Sequence, residues 1–361
     1  MNKYKIAVVP GDGIGPEIVP AGVNVLNAAA ERFGFYLKYE EFPYGAGYYK
    51  QTGTFMPDDA LNVLKGFDAI YFGAVGLPDV DDTLPAKMFT FKIRTSFDQY
   101  VNYRPARLLP GIEGPLRNKT PNDIDFVVIR ENTEGEFVQS GGFVRPEFAE
   151  GMATDTSIFT RKGIERIAHY SFQLAKRRRK LVTNVTKSNT LIHSLAYWDR
   201  IVEQVSTDYP DVEYRKMYVD NASANFVLAP EKFDVIVTTN FIGDILSDLG
   251  GAIMGSLGLG PSGNINPEKI YPSMFEPIHG SAPDIAGKGI ANPIGAVWSA
   301  GLMLEHLGQQ EAAQTIVRAI EMTVAQGVLP VDLGGSGGTV EITNAIVKNL
   351  KSAAKDNAPS N

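Results

Sequence analysis

The amino-acid sequence predicts an α/β protein with a substantially parallel sheet. Short apolar runs typical of buried strands alternate with amphipathic helical patterns along most of the chain. The strand candidates are KIAVVP (5–10), DAIYFGAV (68–75), IDFVVIRE (124–131), KLVTNVT (180–186) and FDVIVTTN (233–240). A glycine-rich and then alternating stretch at 139–160 interrupts this rhythm, and we expect it to form an extended β excursion.

The composition excludes several classes of protein. The 361 residues provide enough chain for two domains, and 44% hydrophobic with 21% charged residues is typical of a globular protein. No apolar run reaches the roughly 20 residues that span a bilayer, and the first strand leaves no room for a signal peptide. Without cysteine there is no disulfide framework or zinc–thiolate site, so we expect a cytoplasmic protein without a membrane partner. A net charge of −7 argues against a nucleic-acid partner.

A glycine-rich turn follows the first strand, in the stretch PGDGIGPEI at 10–18. The glycines are spaced G-x-G-x-G, which differs from the G-x-G-x-x-G fingerprint of common dinucleotide-binding folds. Pro16 stands where a helix is expected to begin, a position that proline favours. Dinucleotide binding and a tight turn without any ligand both fit this stretch.

Three arginines lie at or near predicted element ends, and they are Arg94, Arg104 and Arg130. A guanidinium group grips a carboxylate with two parallel hydrogen bonds, so converging arginines would suit a di- or tricarboxylic acid. The alternative is a set of surface ion pairs, which are common and contribute little to stability.

Three aspartates and a lysine form a second group of candidates. Asp244 and Asp248 are four residues apart on one helical face, and the apolar companions on that face predict that it is buried. Asp220 follows another short strand-like run. Oxygen ligands without nearby cysteine or histidine favour Mg²⁺ or Mn²⁺, which would offset the repulsion between the two carboxylates. The alternative is that Asp244 lies in the first helical turn and interacts with the helix dipole. Lys187, just past a strand, is a candidate proton shuttle.

A long irregular loop is predicted at 275–293, in the stretch FEPIHGSAPDIAGKGIANP. Its density of glycine, proline, asparagine and aspartate is typical of loops, and long irregular loops are often functional. This loop holds His279, one of four histidines in the chain.

Taken together, six motifs resemble those of the β-decarboxylating dehydrogenases, the family of isocitrate, isopropylmalate, homoisocitrate, tartrate and D-malate dehydrogenases. They are GDGIGPE, NYRPAR, RENTEGE, TKSN, NFIGDILSDLGG and FEPIHGSAPDIAGKGIANP, and the resemblance extends from residue 5 to about residue 350. Wider similarity, including FDQYVN and YFGAVGLPD, is to the tartrate and D-malate enzymes.

The resemblance implies a two-domain isopropylmalate-dehydrogenase-like fold with a mixed sheet, distinct from the common Rossmann fold. Residues 1–100 and 256–361 would form the NAD-binding domain. Residues 101–255 would form the substrate, metal and dimerisation domain. An arm at about 139–160 would join a homodimer whose active site is shared between subunits.

Carried over by motif, the resemblance assigns roles to the candidate residues. The substrate carboxylates would be held by Arg94, Arg104 and Arg130. The Mg²⁺ or Mn²⁺ ion would be held by Asp244, Asp248 and Asp220 of the partner subunit. Lys187, also from the partner subunit, would help remove the hydroxyl proton, with Asp220 beside it. Hydride would pass from C2 of a 2-hydroxy acid to the nicotinamide, and the metal would stabilise the enolate left by departing CO₂.

The resemblance also places the cofactor on the loop at 275–293. Asp284 stands where NADP-dependent isocitrate relatives carry a lysine, and a carboxylate would accept hydrogen bonds from a ribose diol and repel a phosphate, so NAD is predicted. The implied cofactor-binding residues are His279, Gly280, Ser281, Ala282, Asp284 and Asn292. A monovalent cation such as K⁺ is a further candidate cofactor.

Two positions qualify the predicted activity. Thr90 and Phe91 stand where isopropylmalate enzymes carry a leucine pair, so Thr90 favours a small hydroxylated dicarboxylate, tartrate or D-malate, over the alternative substrate 3-isopropylmalate. Phe137 replaces the tyrosine that serves the family as a general acid, and losing such a group typically costs about 10²–10⁴-fold in rate. A non-catalytic regulatory paralogue is therefore the alternative from another functional class.

Overall fold

The computed structural model describes residues 2–353, and these form a mixed α/β fold. The strands are β1 (Lys3–Gly11), β2 (Tyr36–Glu41), β3 (Ala69–Ala74), β4 (Val101–Arg107), β5 (Asp125–Glu131), β6 (Gly135–Val144), β7 (Met152–Ile158), β8 (Leu181–Thr186), β9 (Glu213–Tyr218), β10 (Val235–Thr238), β11 (Pro261–Ile265) and β12 (Ser273–Pro277). All five predicted strands are present, as β1, β3, β5, β8 and β10.

Helices cover the sheet. They are α1 (Gly15–Phe33), α2 (Ala46–Thr52), α3 (Ala60–Leu64), α4 (Thr83–Pro85), α5 (Phe91–Ser96), α6 (Arg161–Lys176), α7 (Ser194–Ser206), α8 (Val219–Leu228), α9 (Asn240–Ile253), α10 (Ile294–His306), α11 (Gln310–Ala325) and α12 (Thr339–Ser352). A π-helical turn at Ala86–Thr90 leads into α5, and 3₁₀ turns lie at Pro230–Lys232, Leu257–Leu259 and Val331–Leu333. None of the helices within residues 2–353 combines the length and apolarity needed to cross a bilayer.

Ten strands form one sheet in the order β2-β1-β3-β12-β11-β4-β5-β10-β8-β9. The expectation of a substantially parallel sheet holds towards both edges, whereas the central pairs β12–β11, β11–β4 and β4–β5 are antiparallel. Residues 1–100 and 256–361 contribute one half of the order and 101–255 the other. Because the sheet is continuous, the division into two domains stays a prediction. Residues 354–361, at the end of the predicted NAD-binding domain, lie outside the described range.

Strand residues alternate between two apolar cores on opposite faces of the first half of the sheet. In β1, for example, Ile6 packs into one core and Ala7 into the other. The chain then leaves the sheet at the predicted β excursion, where β6 and β7 pair as an antiparallel hairpin. The tip of this hairpin is open to solvent, with Phe143 74% exposed.

We expect His306 to make the fold sensitive to acid. Burial, helped by the Lys269 ammonium, lowers the pKa of His306 from 6.5 to about 4. Between these values the unfolded chain binds more protons than the folded one, so the free energy of unfolding falls as the pH drops, by on the order of 3 kcal/mol in total. His306→Gln should flatten this dependence in urea titrations at a series of pH values. His193→Gln, at an exposed histidine, should retain the wild-type slope, and an unchanged slope in His306→Gln would contradict the assignment.

Candidate active site

The three predicted arginines converge on one face of the sheet. Strand β4 pairs with β5 so that Asn102 faces Arg130, which puts Arg104 and Arg130 on the same face of neighbouring strands. Arg94 reaches this face from α5, and its charge lowers the pKa of both other arginines. All three are buried, Arg130 to 1% exposure. The alternative of surface ion pairs is therefore wrong.

Each arginine has a carboxylate partner, and the region formed by the three arginines and these carboxylates is called the cleft below. Arg130 Nη1 contacts Asp244 Oδ1, and Arg104 Nη1 lies 3.5 Å from the same oxygen and 3.4 Å from Asp248 Oδ1. Arg94 Nη2 donates a 2.7 Å hydrogen bond to Glu276 Oε1. Three guanidinium groups thus meet three carboxylates, and the cleft is balanced in charge.

Neutral side chains fix the arginines further. Arg130 Nε donates to Asn240 Oδ1 at 2.9 Å, and Arg104 Nη1 donates to Ser247 Oγ at 2.7 Å. The Nε groups of Arg94 and Arg104 are buried without a hydrogen-bond partner among residues 2–353. A buried donor without an acceptor destabilises the folded protein. Each of these Nε groups could therefore donate a hydrogen bond to a bound anion.

The local charges shift the ionisation of these groups. Burial lowers the pKa of Arg130 to about 9, against the opposing attraction of Asp244, so that Arg130 stays charged at neutral pH. Burial alone would raise the pKa of Asp244, but the surrounding arginines outweigh it and hold that pKa below its usual value. Asp248 has its pKa raised by burial, because Arg104 compensates only in part. The Asp244 carboxyl group is therefore ionised at neutral pH.

Helix α9 carries both aspartates at the rim of the cleft. It begins at Asn240 and has no acidic residue in its first turn, so the helix-dipole explanation of Asp244 is wrong. The expectation that this face is buried also fails within one chain, since Phe241 is 47% and Ile245 54% exposed. The half-exposed carboxylates offer only hard oxygen donors, which suit Mg²⁺ or Mn²⁺. Within the described residues, no group of three or more acidic, histidine or cysteine side chains is arranged to hold a metal.

Lys187 and Asp220 lie together but apart from the arginines. Lys187 Nζ forms an ion pair with Asp220 Oδ2, and within residues 2–353 neither forms an ion pair with any other side chain. The hydrogen bond from Lys187 holds the pKa of Asp220 below its usual value. The prediction that both reach the cleft of a partner subunit stays a prediction.

The loop at 275–293 packs against the glycine-rich turn. Gly13 adopts a φ of 60°, and a Cβ atom there would lie 1.9 Å from the Ser281 carbonyl oxygen, which explains the glycine. Ile14 N–H donates to the same carbonyl at 2.8 Å. A cavity of about 460 Å³ opens beside this contact, with Thr90, Gly280 and Ser281 in its lining. The turn therefore positions Ser281, which lines a cavity large enough for part of a cofactor.

The other predicted cofactor residues differ in their accessibility. Asp284 is exposed, and Ala282 adopts a left-handed φ of 41°. His279 Nδ1 lies 2.9 Å from the Gly280 carbonyl oxygen, and burial lowers the pKa of His279, so its ring is neutral at pH 7. The amide of Asn292 bonds internally, to Asp332 and to the Ile294 N–H, so a cofactor would meet the Asn292 backbone unless these bonds break.

Thr90 and Phe137 both lie at the cleft. Thr90 is buried at the end of the π-helical turn, and its hydroxyl donates to the Ala86 carbonyl at 3.2 Å. π-helical turns are frequent at functional sites. The Phe137 ring lies 5.6 Å from the Arg130 guanidinium carbon. Phe137 thus lies next to the arginine cluster.

Sequence reasoning missed three polar residues of this site, which are Glu276, Asn240 and Ser247. Each belongs to a motif that was recognised, and Glu276 gives one signal, because it is an acidic residue inside a buried strand. A buried carboxylate requires a partner, although its identity could not be read from the sequence.

The chain matches the family model described as "Isocitrate/isopropylmalate dehydrogenase" over residues 5–346. A probable tartrate dehydrogenase/decarboxylase of Agrobacterium vitis is 51% identical over 348 residues, covering 96% of this chain and 97% of the relative. D-malate dehydrogenase [decarboxylating] of Escherichia coli (strain K12) is 49% identical, with 96% and 99% covered.

A solved structure confirms the fold. The crystal structure of isocitrate dehydrogenase from Methylococcus capsulatus superimposes with a TM-score of 0.88 at 35% identity, covering 96% of this chain and 99% of that one. The resemblance noted from the motifs and the isopropylmalate-dehydrogenase-like fold are both confirmed. The chain therefore belongs to the isocitrate/isopropylmalate dehydrogenase family.

Proposed function

We propose that this protein is an NAD-dependent, divalent-metal-dependent dehydrogenase of a small 2-hydroxy dicarboxylic acid, tartrate or D-malate, with or without loss of the β-carboxylate. The observation that carries this proposal is the cluster of three buried arginines whose carboxylate partners lie in the same cleft. The names of the relatives, tartrate dehydrogenase/decarboxylase and D-malate dehydrogenase, support the substrate class.

The arginines would bind the substrate by exchanging partners. Arg104 and Arg130 are neutralised by Asp244 and Asp248. A dicarboxylate would replace these side chains, since its two carboxylates match the planar donors of the guanidinium groups. Arg94 keeps Glu276 as a buried counter-ion. Thr90 would favour a small, hydroxylated substrate over one with an apolar branch.

The carboxylates released in this exchange would hold the cation. Asp244 and Asp248 supply oxygen ligands from one chain, and Asp220 of the partner subunit would supply another. When bound, Mg²⁺ or Mn²⁺ supplies Lewis-acid stabilisation of negative charge on the substrate oxygen. Lys187 from the partner subunit would accept the hydroxyl proton, and its ion pair with Asp220 would bring both residues to the site together.

The absence of a hydroxyl at Phe137 limits what the chain's own residues can do. A phenyl ring neither donates nor accepts a proton, so protonation of the product would use water or another group. Phe137 is the one residue that favours the alternative of a non-catalytic regulatory paralogue. Retention of the three arginines, the three aspartates and Lys187 argues for catalysis. The absence of cysteine supports a cytoplasmic location.

The first test is NADH formation with Mn²⁺ and K⁺ against D-malate, the tartrate stereoisomers, 3-isopropylmalate and isocitrate. We expect turnover of D-malate or tartrate at least about ten-fold above 3-isopropylmalate, because Thr90 disfavours an apolar branch. A chelator of divalent cations should abolish NADH formation. Greater turnover of 3-isopropylmalate would contradict the substrate assignment. If no acid of the panel gives NADH while NAD and Mn²⁺ still bind, the result would support the regulatory paralogue.

The second test concerns cofactor choice. Asp284 is exposed, and its charge would repel the 2′-phosphate of NADP. We expect Asp284→Lys to lower the ratio of kcat/KM for NAD to that for NADP by roughly 10²-fold, since it replaces repulsion with attraction. Asp58→Lys, a like change at an aspartate outside the cofactor loop, is the control. An unchanged ratio in Asp284→Lys would remove the basis for preferring NAD.

The third test concerns the shared active site. Lys187→Ala and Asp248→Asn should each be inactive, because each lacks one contribution to both sites of the dimer. After the two are denatured and refolded together, half of the dimers would be mixed, and each would have one intact site of two. We expect about a quarter of the wild-type activity, with dimers in light scattering. No recovery beyond the separately refolded variants would contradict a shared site.

A further inference from the structure

We propose that Phe91 and Phe137 form an aromatic gate across the mouth of the substrate cleft. The gate would retain the 2-oxo acid until its β-carboxylate has left. This inference rests on the proposed function, because it concerns the intermediate of that reaction. Neither residue was expected to act in this way from the sequence, where Phe137 was notable only for a missing hydroxyl.

The two rings come from opposite sides of the cleft. Phe91 begins α5, in the predicted domain 1–100, and Phe137 lies in β6, at the start of the hairpin. Their centroids are 5.7 Å apart with 28° between the ring planes, a stacked arrangement. Stacked pairs at such distances are attractive beyond simple burial. The contact therefore joins the two walls of the cleft.

Each ring also contacts the arginine of its own wall. The guanidinium carbon of Arg94 lies 5.9 Å from the Phe91 centroid, and that of Arg130 lies 5.6 Å from the Phe137 centroid. The arginines are buried, whereas both rings are only half-buried. We therefore infer that the stacked rings lie on the solvent side of the arginines, where they would have to part to admit a substrate.

Phe241 supports the gate from the rim of α9. Its ring meets the Phe137 ring edge-on, with 5.9 Å between centroids and 70° between planes. This contact restricts Phe137 to positions near Phe91. Half-buried side chains change rotamer within nanoseconds when unrestrained, so the edge contact favours the closed arrangement without preventing opening.

The gate matters because the proposed reaction has two stages. Oxidation moves a hydride from C2 to NAD⁺ and a proton from the hydroxyl to a base, which yields a 2-oxo acid and NADH. Cleavage of the C3–carboxylate bond then releases CO₂ and leaves its electron pair in an enolate, and C3 takes up a proton. An intermediate that escapes between the stages forms NADH without CO₂. The molar ratio of the two products therefore measures retention.

The experiment is single-turnover analysis of D-malate with NAD⁺ and Mn²⁺, measuring NADH by absorbance and CO₂ enzymatically. Hydrazine traps both the 2-oxo dicarboxylic intermediate and the 2-oxo monocarboxylic product, so the two hydrazones are separated by chromatography and only the dicarboxylic one is counted as trapped 2-oxo acid. We expect wild type to form NADH and CO₂ in nearly equal amounts. Phe91→Ala and Phe137→Ala should each release roughly three- to ten-fold more trapped 2-oxo acid, as loss of one aromatic contact predicts. Phe91→Tyr keeps the ring and should resemble wild type.

Control measurements distinguish an effect on the gate from a loss of folding or of cofactor binding. Tyr36→Ala removes an exposed ring from the edge strand β2, and it should leave the product ratio unchanged. Unaltered melting temperatures and NAD⁺ affinity would establish that the alanine variants are folded. NADH formation with an unchanged ratio in both alanine variants would overturn the gate and leave the dehydrogenase assignment intact. Absence of NADH in wild type would overturn the proposed function and, with it, the gate.

Discussion

The organisation of the cleft depends on the burial of three positive charges side by side. Burial lowers the pKa of Arg104 and of Arg130, and the positive charge of Arg94 lowers both further. Such a cluster is tolerable only when carboxylates neutralise it. Glu276 does so from the sheet, and Asp244 and Asp248 do so from α9. The position of α9 against the sheet is therefore required by charge as well as by packing.

The carboxylates on α9 differ from Glu276 in one respect that suits them for exchange. The Asp244 and Asp248 side chains are 42% and 55% exposed, whereas that of Glu276 is 9% exposed. Water can solvate the two aspartates as they leave the arginines, so the exchange is far less costly than uncovering Glu276. A cation and a dianion entering together would preserve the charge balance. This charge balance supports the proposed binding of a dicarboxylic acid together with a divalent cation.

The sequence predicted the fold well because the fold is encoded in local patterns. All five predicted strands depend on runs of six to eight residues, and proline at the start of α1 depends on one turn. The antiparallel centre of the sheet was not readable from the residues alone, since pairing direction depends on how distant segments meet. The partners of the arginines were missed for the same reason: Arg94 and Glu276 are 182 positions apart, and Arg104 and Ser247 are 143 apart.

One wrong expectation concerns the exposed face of α9. Apolar residues beside Asp244 were taken as a sign that this face of α9 is buried, yet Phe241 and Ile245 are exposed in the single chain. The same helix surface adjoins α8, where Leu228 is 74% exposed, and the tip of the β6–β7 hairpin is also apolar. Exposed apolar surface, where it forms a large patch, marks an interaction site in a monomeric chain. A second copy seated there would cover the exposed side of α9 and bring further groups towards its aspartates. In the proposed homodimer, the apolar residues of α9 would be buried against the partner subunit, as the sequence pattern indicates, and Asp220 of the partner subunit would approach Asp244 and Asp248.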